Sequence, residues 1–182
     1  LLAGLFMLML SALPSVAAEV VLDGAVVQGG LLRGLAAPDA RAFLDGRELR
    51  VSPDGRFVFG FGRDDSDPVT LRVRFADSRE ETRVLAPGLR TYKVQRINGL
   101  PPRQVTPNPE DLDHIRRDNA EIGAARTNDF AETWFAQEFI WPAKGPISGV
   151  YGSQRILNGK LRRPHYGVDI AGPVGTPVVA PA

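Results

Sequence analysis

Between Val20 and Ile97 the chain breaks into short apolar alternations separated by turn signals, and this pattern constrains the fold more than any other feature. Asp-Gly pairs stand at Asp23-Gly24, Asp45-Gly46 and Asp54-Gly55. Such pairs supply the positive φ angles that tight hairpins require. Around them, Arg56 to Phe61 alternates on Phe57, Phe59 and Phe61, and Val69 to Phe75 alternates on Val69, Leu71, Val73 and Phe75. A period of two puts every second side chain on one face, the pattern of half-buried antiparallel strands. The expectation over residues 19–97 is a small, immunoglobulin-like β-sandwich. Its Asp and Arg residues fall at turns and on polar strand faces, so it reads as a binding or positioning module without chemistry of its own.

The segment before this module, residues 1–18, carries an apolar run from Leu1 to Leu10, the breaker Pro14 and the small residues Val16-Ala17-Ala18. It reads as an incomplete signal peptide cleaved after Ala18, since a membrane-spanning helix needs roughly 20 apolar residues. A buried N-terminal helix or a retained anchor is the alternative. The chain has 0 cysteines, which removes disulfides, thiolate nucleophiles, Cys-based zinc sites and a lipid-anchored cysteine together. The expected location is therefore periplasmic or secreted, with no stable membrane insertion after signal cleavage. A net charge of +1 provides no whole-chain field for nucleic acid, which is not expected as a partner.

Residues 98–138 read as a Pro-rich linker followed by a linker helix. Pro101, Pro102, Pro107 and Pro109 keep the linker extended. Asn108 is placed to cap a helix with Pro109 in its first position and Glu110 and Asp111 in its first turn. The helix is predicted to run from Pro109 to Phe135. Its apolar positions Leu112, Ile115, Ile122, Phe130 and Trp134 are sparse, so it is expected to lie across another domain. Trp134 and Phe135 would anchor its end to the C-terminal domain, through Phe139 and Trp141. His114 on this helix reads as a surface residue.

From 139 to 182 the chain turns to Gly/Pro-punctuated short strands, the start of a second β domain. Here lies the one stretch with evident chemistry, Arg163 to Ala171, with His165 and Asp169 as a nitrogen and an oxygen ligand type suited to zinc. In a straight strand, positions four apart lie roughly 13 Å from each other, too far to share an ion. The backbone must bend between them, and Gly167 is the residue suited to bending; Pro164, Val168 and Ile170 argue against a helix.

His-x3-Asp alone is a weak pattern, but the phrase around it is not. His165, Gly167, Val168-Asp169-Ile170-Ala171 and then Pro173-Val174-Gly175-Thr176-Pro177-Val178 resemble the opening of the catalytic domain of lysostaphin/LytM-type zinc metallopeptidases, the peptidoglycan endopeptidase family. Ser148-Gly149-Val150-Tyr151-Gly152, with Arg155, resembles the strand that precedes this motif. The resemblance covers Phe139 to Ala182 and implies a mainly β chain ending in the N-terminal part of a LytM-type, β-rich peptidase domain.

It further implies that His165 and Asp169 are zinc ligands and that the activity is hydrolysis of peptide cross-links in bacterial peptidoglycan. In the family a later His-x-His supplies the third ligand and a catalytic histidine, and one more upstream histidine assists. These catalytic histidines are expected beyond Ala182, so residues 1–182 alone are expected to be inactive. Arg155, Arg162 and Arg163 would meet stem-peptide carboxylates, or form a solvated basic loop. Tyr166 would hydrogen-bond substrate at the cleft edge, or be an exposed strand aromatic. The rival reading is a catalytically dead relative that binds peptidoglycan or activates a cell-wall amidase, with division proteins as further partners. A plain adhesion or assembly sandwich, with His165 and Asp169 incidental, is the second rival.

Overall fold

The computed structural model describes residues 19–181, and the chain over that span is mainly β. The expected signal segment 1–18 lies outside the described residues. The first seven strands are β1 (Val21–Asp23), β2 (Leu31–Leu35), β3 (Arg41–Leu44), β4 (Arg47–Leu49), β5 (Arg56–Gly60), β6 (Val69–Arg74) and β7 (Glu80–Leu85). They form two antiparallel sheets, in the orders β1-β2-β5 and β4-β3-β6-β7.

Both sheets feed one core. Leu32, Phe57, Phe59 and Phe61 enter it from the first sheet and its flank, and Ala42, Leu49, Leu71, Val73 and Phe75 from the second. Every position that the alternation assigns inward on β5 and β6 is buried or packs against that core. Phe57 lies opposite Gly34 in the register, and the missing side chain there leaves room for its ring. Burial of each such side chain is worth about 1.5–3 kcal/mol, so this cluster is the main stabilising element.

The turn chemistry follows the sequence at one of the three Asp-Gly pairs; Asp23-Gly24 opens a longer connection from β1 to β2, and Asp54-Gly55 leads from one sheet to the other. Asp45 (φ 47°) and Gly46 (φ 82°) form the two-residue connection between β3 and β4. Two positive φ values in succession are the type I′ geometry whose twist matches that of the strands. The Asp45 carboxylate also accepts from the Thr70 amide at 2.7 Å, which ties the turn to β6.

Next come β8 (Val94–Ile97), a single helical turn α1 (Pro102–Val105) and the helix α2 (Pro109–Ala125). The Asn108 side chain accepts from the Asp111 amide at 2.8 Å, so the helix begins where its capping signals put it. It ends at Ala125, short of the predicted Phe135, and Trp134–Ala136 form a separate 3₁₀ turn. No residue of α2 is buried. The anchor of its exit also differs from expectation. Arg50 of the N-terminal region holds the Asp129 carboxylate with two hydrogen bonds, at 2.6 and 2.7 Å, and donates to the Phe130 carbonyl at 2.6 Å. A bidentate Arg–carboxylate contact fixes direction as well as distance. Phe139 and Trp141, expected to receive the helix end, are exposed.

The last strands are β9 (Ile147–Gly149), β10 (Gln154–Leu157), β11 (Lys160–Leu161) and β12 (Asp169–Ile170). β8 pairs in parallel with β10, which pairs antiparallel with β11, and β12 pairs antiparallel with β9. Parallel neighbours need a long crossover, and the segment carrying α1 and α2 is that crossover. Thus Val94–Ile97, read from sequence with the first module, is hydrogen-bonded to the segment that carries the His-x3-Asp motif. No helix among the described residues is long and apolar enough to cross a membrane.

Candidate metal centre

Asp169 opens β12 and lies opposite Gly149 of β9, with a register irregularity between Asp169 and Ile170. His165 sits in the connection from β11 to β12, and the chain bends at Gly167. That bend brings His165 Nε2 to 3.0 Å from Asp169 Oδ1. The expected convergence of the two residues therefore occurs. Gly167 stays outside the left-handed region, however, and a Cβ there would stand 3.8 Å from His165 Nε2, an ordinary contact.

The backbone of His165 is fixed from two sides. Its amide donates to the Ser153 carbonyl at 2.9 Å, and its carbonyl accepts from the Gly152 amide at 2.7 Å. The ring's Nδ1 faces the Val150 carbonyl at 3.3 Å. One turn, Val150 to Ser153, thus holds both the main chain and the side chain of the histidine.

Both ring nitrogens face oxygens that only accept hydrogen bonds: a backbone carbonyl at Nδ1 and a carboxylate at Nε2. A neutral imidazole has one N–H and satisfies one of them. A hydrogen on Nε2 would be donated straight to Asp169; with the hydrogen on Nδ1 instead, directed at Val150, the Nε2 lone pair would face Asp169 and the two would stand as a ligand pair for a cation. This is how metal-bound histidines are oriented, with the far nitrogen donating to a carbonyl. Nitrogen and carboxylate ligands of a tetrahedral zinc stand roughly 3.4 Å apart, from bond lengths near 2.0–2.2 Å. The observed 3.0 Å needs an opening of only a few tenths of an ångström, so the pair fits the ion. Among the described residues no third His, Cys, Asp or Glu joins it.

Glycine makes this approach possible. A Cβ on Gly149 would stand 3.0 Å from Asp169 Cγ, closer still to Oδ2, and 3.1 Å from His165 Cε1. A Cβ on Gly152 would run into the Tyr92 ring, and Gly152 also has φ 82°, so two independent reasons select glycine there. The N-terminal region reaches this turn directly: Arg63 Nε donates to the Gly152 carbonyl at 2.8 Å, and its guanidinium lies 4.4 Å from the Tyr92 ring centre. Tyr151 packs against Gly29 and edge-on to Tyr166, at 6.1 Å between ring centres. Burial, then the neighbouring Tyr92 and Tyr166, push the Tyr151 hydroxyl above the usual tyrosine range.

Arg155 lines two cavities. One, of about 470 Å³, is bounded by Lys93, Gln95, Ser148, Gly149, Ser153 and their neighbours, and the other, of about 270 Å³, reaches His165 past Arg162 and Arg163. Tyr166 is 51% exposed, with the Arg163 guanidinium 5.3 Å from its ring centre. His114 lies far along the chain on α2 and pairs with Asp118 at 3.2 Å, both exposed. Sequence reasoning missed Lys93, Arg63 and the hairpin Asn158-Gly159. The last was legible: Asn158 (φ 48°) and Gly159 (φ 79°) repeat the Asp45-Gly46 geometry between β10 and β11. Compared with known proteins, the chain matches no family model and no curated protein.

Proposed function

We propose that this chain carries the zinc-binding opening of an exported endopeptidase that hydrolyses peptide cross-links of bacterial peptidoglycan, preceded by an immunoglobulin-like β-sandwich. The observation that carries the reading is the His165–Asp169 pair, two ligand types brought to 3.0 Å at a sheet edge with the far imidazole nitrogen directed at a carbonyl. In the resemblance to lysostaphin/LytM-type peptidases the same two positions are metal ligands. Bound there, zinc would lower the pKa of its water to about 7 and polarise the scissile carbonyl.

The chain's own residues have separate tasks. His165 and Asp169 would hold the ion, and the Val150 carbonyl would accept a hydrogen from the far imidazole nitrogen. The Gly149 strand forms a wall with no side chain to obstruct the pair, and Arg155 and Tyr166 border the approach to it. Incubation of the full-length protein with purified cross-linked peptidoglycan tests the proposal. Release of new amino termini that a chelator abolishes and zinc restores is expected; intact cross-links under all metal conditions would overturn it.

A second reading keeps the same fold without the hydrolysis. On that reading the chain binds peptidoglycan or activates a cell-wall amidase, and stimulation of an amidase without cleavage by the chain itself would select it.

A further inference from the structure

Residues 139–182 contain five cationic side chains, Lys144, Arg155, Lys160, Arg162 and Arg163, and a single carboxylate, Asp169. The whole-chain charge of +1 conceals this asymmetry. In the N-terminal region several arginines have partners close by: Arg33 with Asp23, Arg41 with Glu48, Arg79 with Asp77 and Arg83 with Glu81. Around the candidate metal centre there is no such compensation, because Asp169 is already engaged by His165.

The parallel pairing joins one of these charges, Arg155, to a cation from outside the segment, Lys93. Gln154 donates to the Lys93 carbonyl at 2.9 Å, and Arg155 lies in register with Gln95. Lys93, which immediately precedes β8, and Arg155, from β10, border one cavity of about 470 Å³, together with Ser148 and Ser153. No acidic side chain lines it. Among the described residues neither the Lys93 nor the Arg155 side chain has an ion-pair or hydrogen-bond partner. The cavity has the volume of a small-ligand site, and Gly149, which abuts the His165–Asp169 pair, forms part of its wall.

We propose that this cavity is a cationic subsite that takes the free carboxylate at the end of a peptide, with Lys93 and Arg155 as its cations and the two serines as hydrogen-bonding neighbours. The inference deepens the peptidase reading by naming the chemistry of its substrate, and it rests on that reading for the identity of the peptide; the binding itself requires no metal. An arginine fork matches a carboxylate in a way that it cannot match a neutral carboxamide. A lysine beside it adds a mobile point charge. The concave, one-carboxylate scale of the cavity favours a peptide terminus over a long polyanion.

The test compares the peptide Ala-Glu-Lys-Ala-Ala with a free carboxyl terminus against the same peptide as its carboxamide. Binding to the full-length protein is measured calorimetrically in chelator, so that neither metal nor hydrolysis contributes. The free acid is expected to bind about tenfold more tightly, the scale of one charge-assisted contact. The preference should shrink with added salt and vanish in Lys93→Gln/Arg155→Gln, while Lys160→Gln keeps it. Equal affinity for acid and amide would overturn the proposal, as would an undiminished preference in the double variant or displacement of the acid by a short oligonucleotide at equal concentration. The acid–amide comparison on the unmutated protein is informative even if a variant misfolds. A retained acid preference without zinc-dependent cleavage would remove the peptidase reading and leave this subsite standing; cleavage with equal acid and amide binding would do the reverse.

Discussion

Gly149→Ala adds a single methyl group, and its consequence can be worked from distances. The new carbon would stand 3.0 Å from Asp169 Cγ and 3.1 Å from His165 Cε1. Carbon atoms rest about 3.5–4.0 Å apart, so the carboxylate and the imidazole must together retreat by roughly 0.5–1 Å. Neither can do so freely. Asp169 is in a strand paired with residue 149 itself, and His165 is hydrogen-bonded to the turn at Gly152 and Ser153. Displacing metal-ligand geometry by that amount lowers affinity on the order of 10–100-fold, as loss of a supporting group does. The assay is zinc affinity by competition with a chromophoric chelator. Gly123→Ala serves as control, since a Cβ on Gly123 meets nothing within 4 Å. In a helix interior that change should raise stability by about 1 kcal/mol and leave zinc affinity alone. Zinc affinity in Gly149→Ala within twofold of the unmutated protein would refute the reasoning.

Three further outcomes are expected. Arg63→Ala removes the donor to the Gly152 carbonyl and should speed amide exchange at Gly152 and His165 while weakening zinc binding several-fold, with Arg63→Lys restoring only part; unchanged exchange at both amides would show that Arg63 does not hold the turn. Phe57→Ala should lower unfolding free energy by about 3–5 kcal/mol in chemical denaturation, because the ring is fully buried opposite Gly34, and a loss below about 1 kcal/mol would contradict the assigned core. The raised pKa of Tyr151 favours its neutral form in the fold, so its stabilising contribution is complete below the ordinary tyrosine pKa and lost as pH rises through the folded value; ultraviolet titration of Tyr151→Phe against the unmutated protein should remove a phenol ionising above the ordinary range.

Local periodicity makes part of this molecule legible in the sequence. Phe57, Phe59 and Phe61 point inward because side chains alternate across a strand, and Asp45-Gly46 turns because both residues accept positive φ. Asn108 caps the helix for equally local reasons. The end of that helix is not legible, because no glycine or proline marks it and the residue that directs the chain beyond it is Arg50, remote in sequence. Similar long-range pairing joins β8 to β10 and brings Lys93 and Arg155 to one cavity, which no window along the sequence can reveal. At the candidate metal centre, the residue types and the bend at Gly167 are readable from the motif. The role of Gly149 is not, since it comes from a contact across strands with Asp169.

The central claim is that His165 and Asp169 bind one zinc ion, and cobalt substitution tests it most directly. Cobalt in the zinc position gives visible absorption whose intensity reports a low coordination number and whose titration gives an affinity. The full-length protein should bind one equivalent, with the spectrum and affinity lost in His165→Ala and in Asp169→Ala and retained in His114→Ala. Unchanged cobalt affinity and spectrum in either of the first two variants would contradict the account.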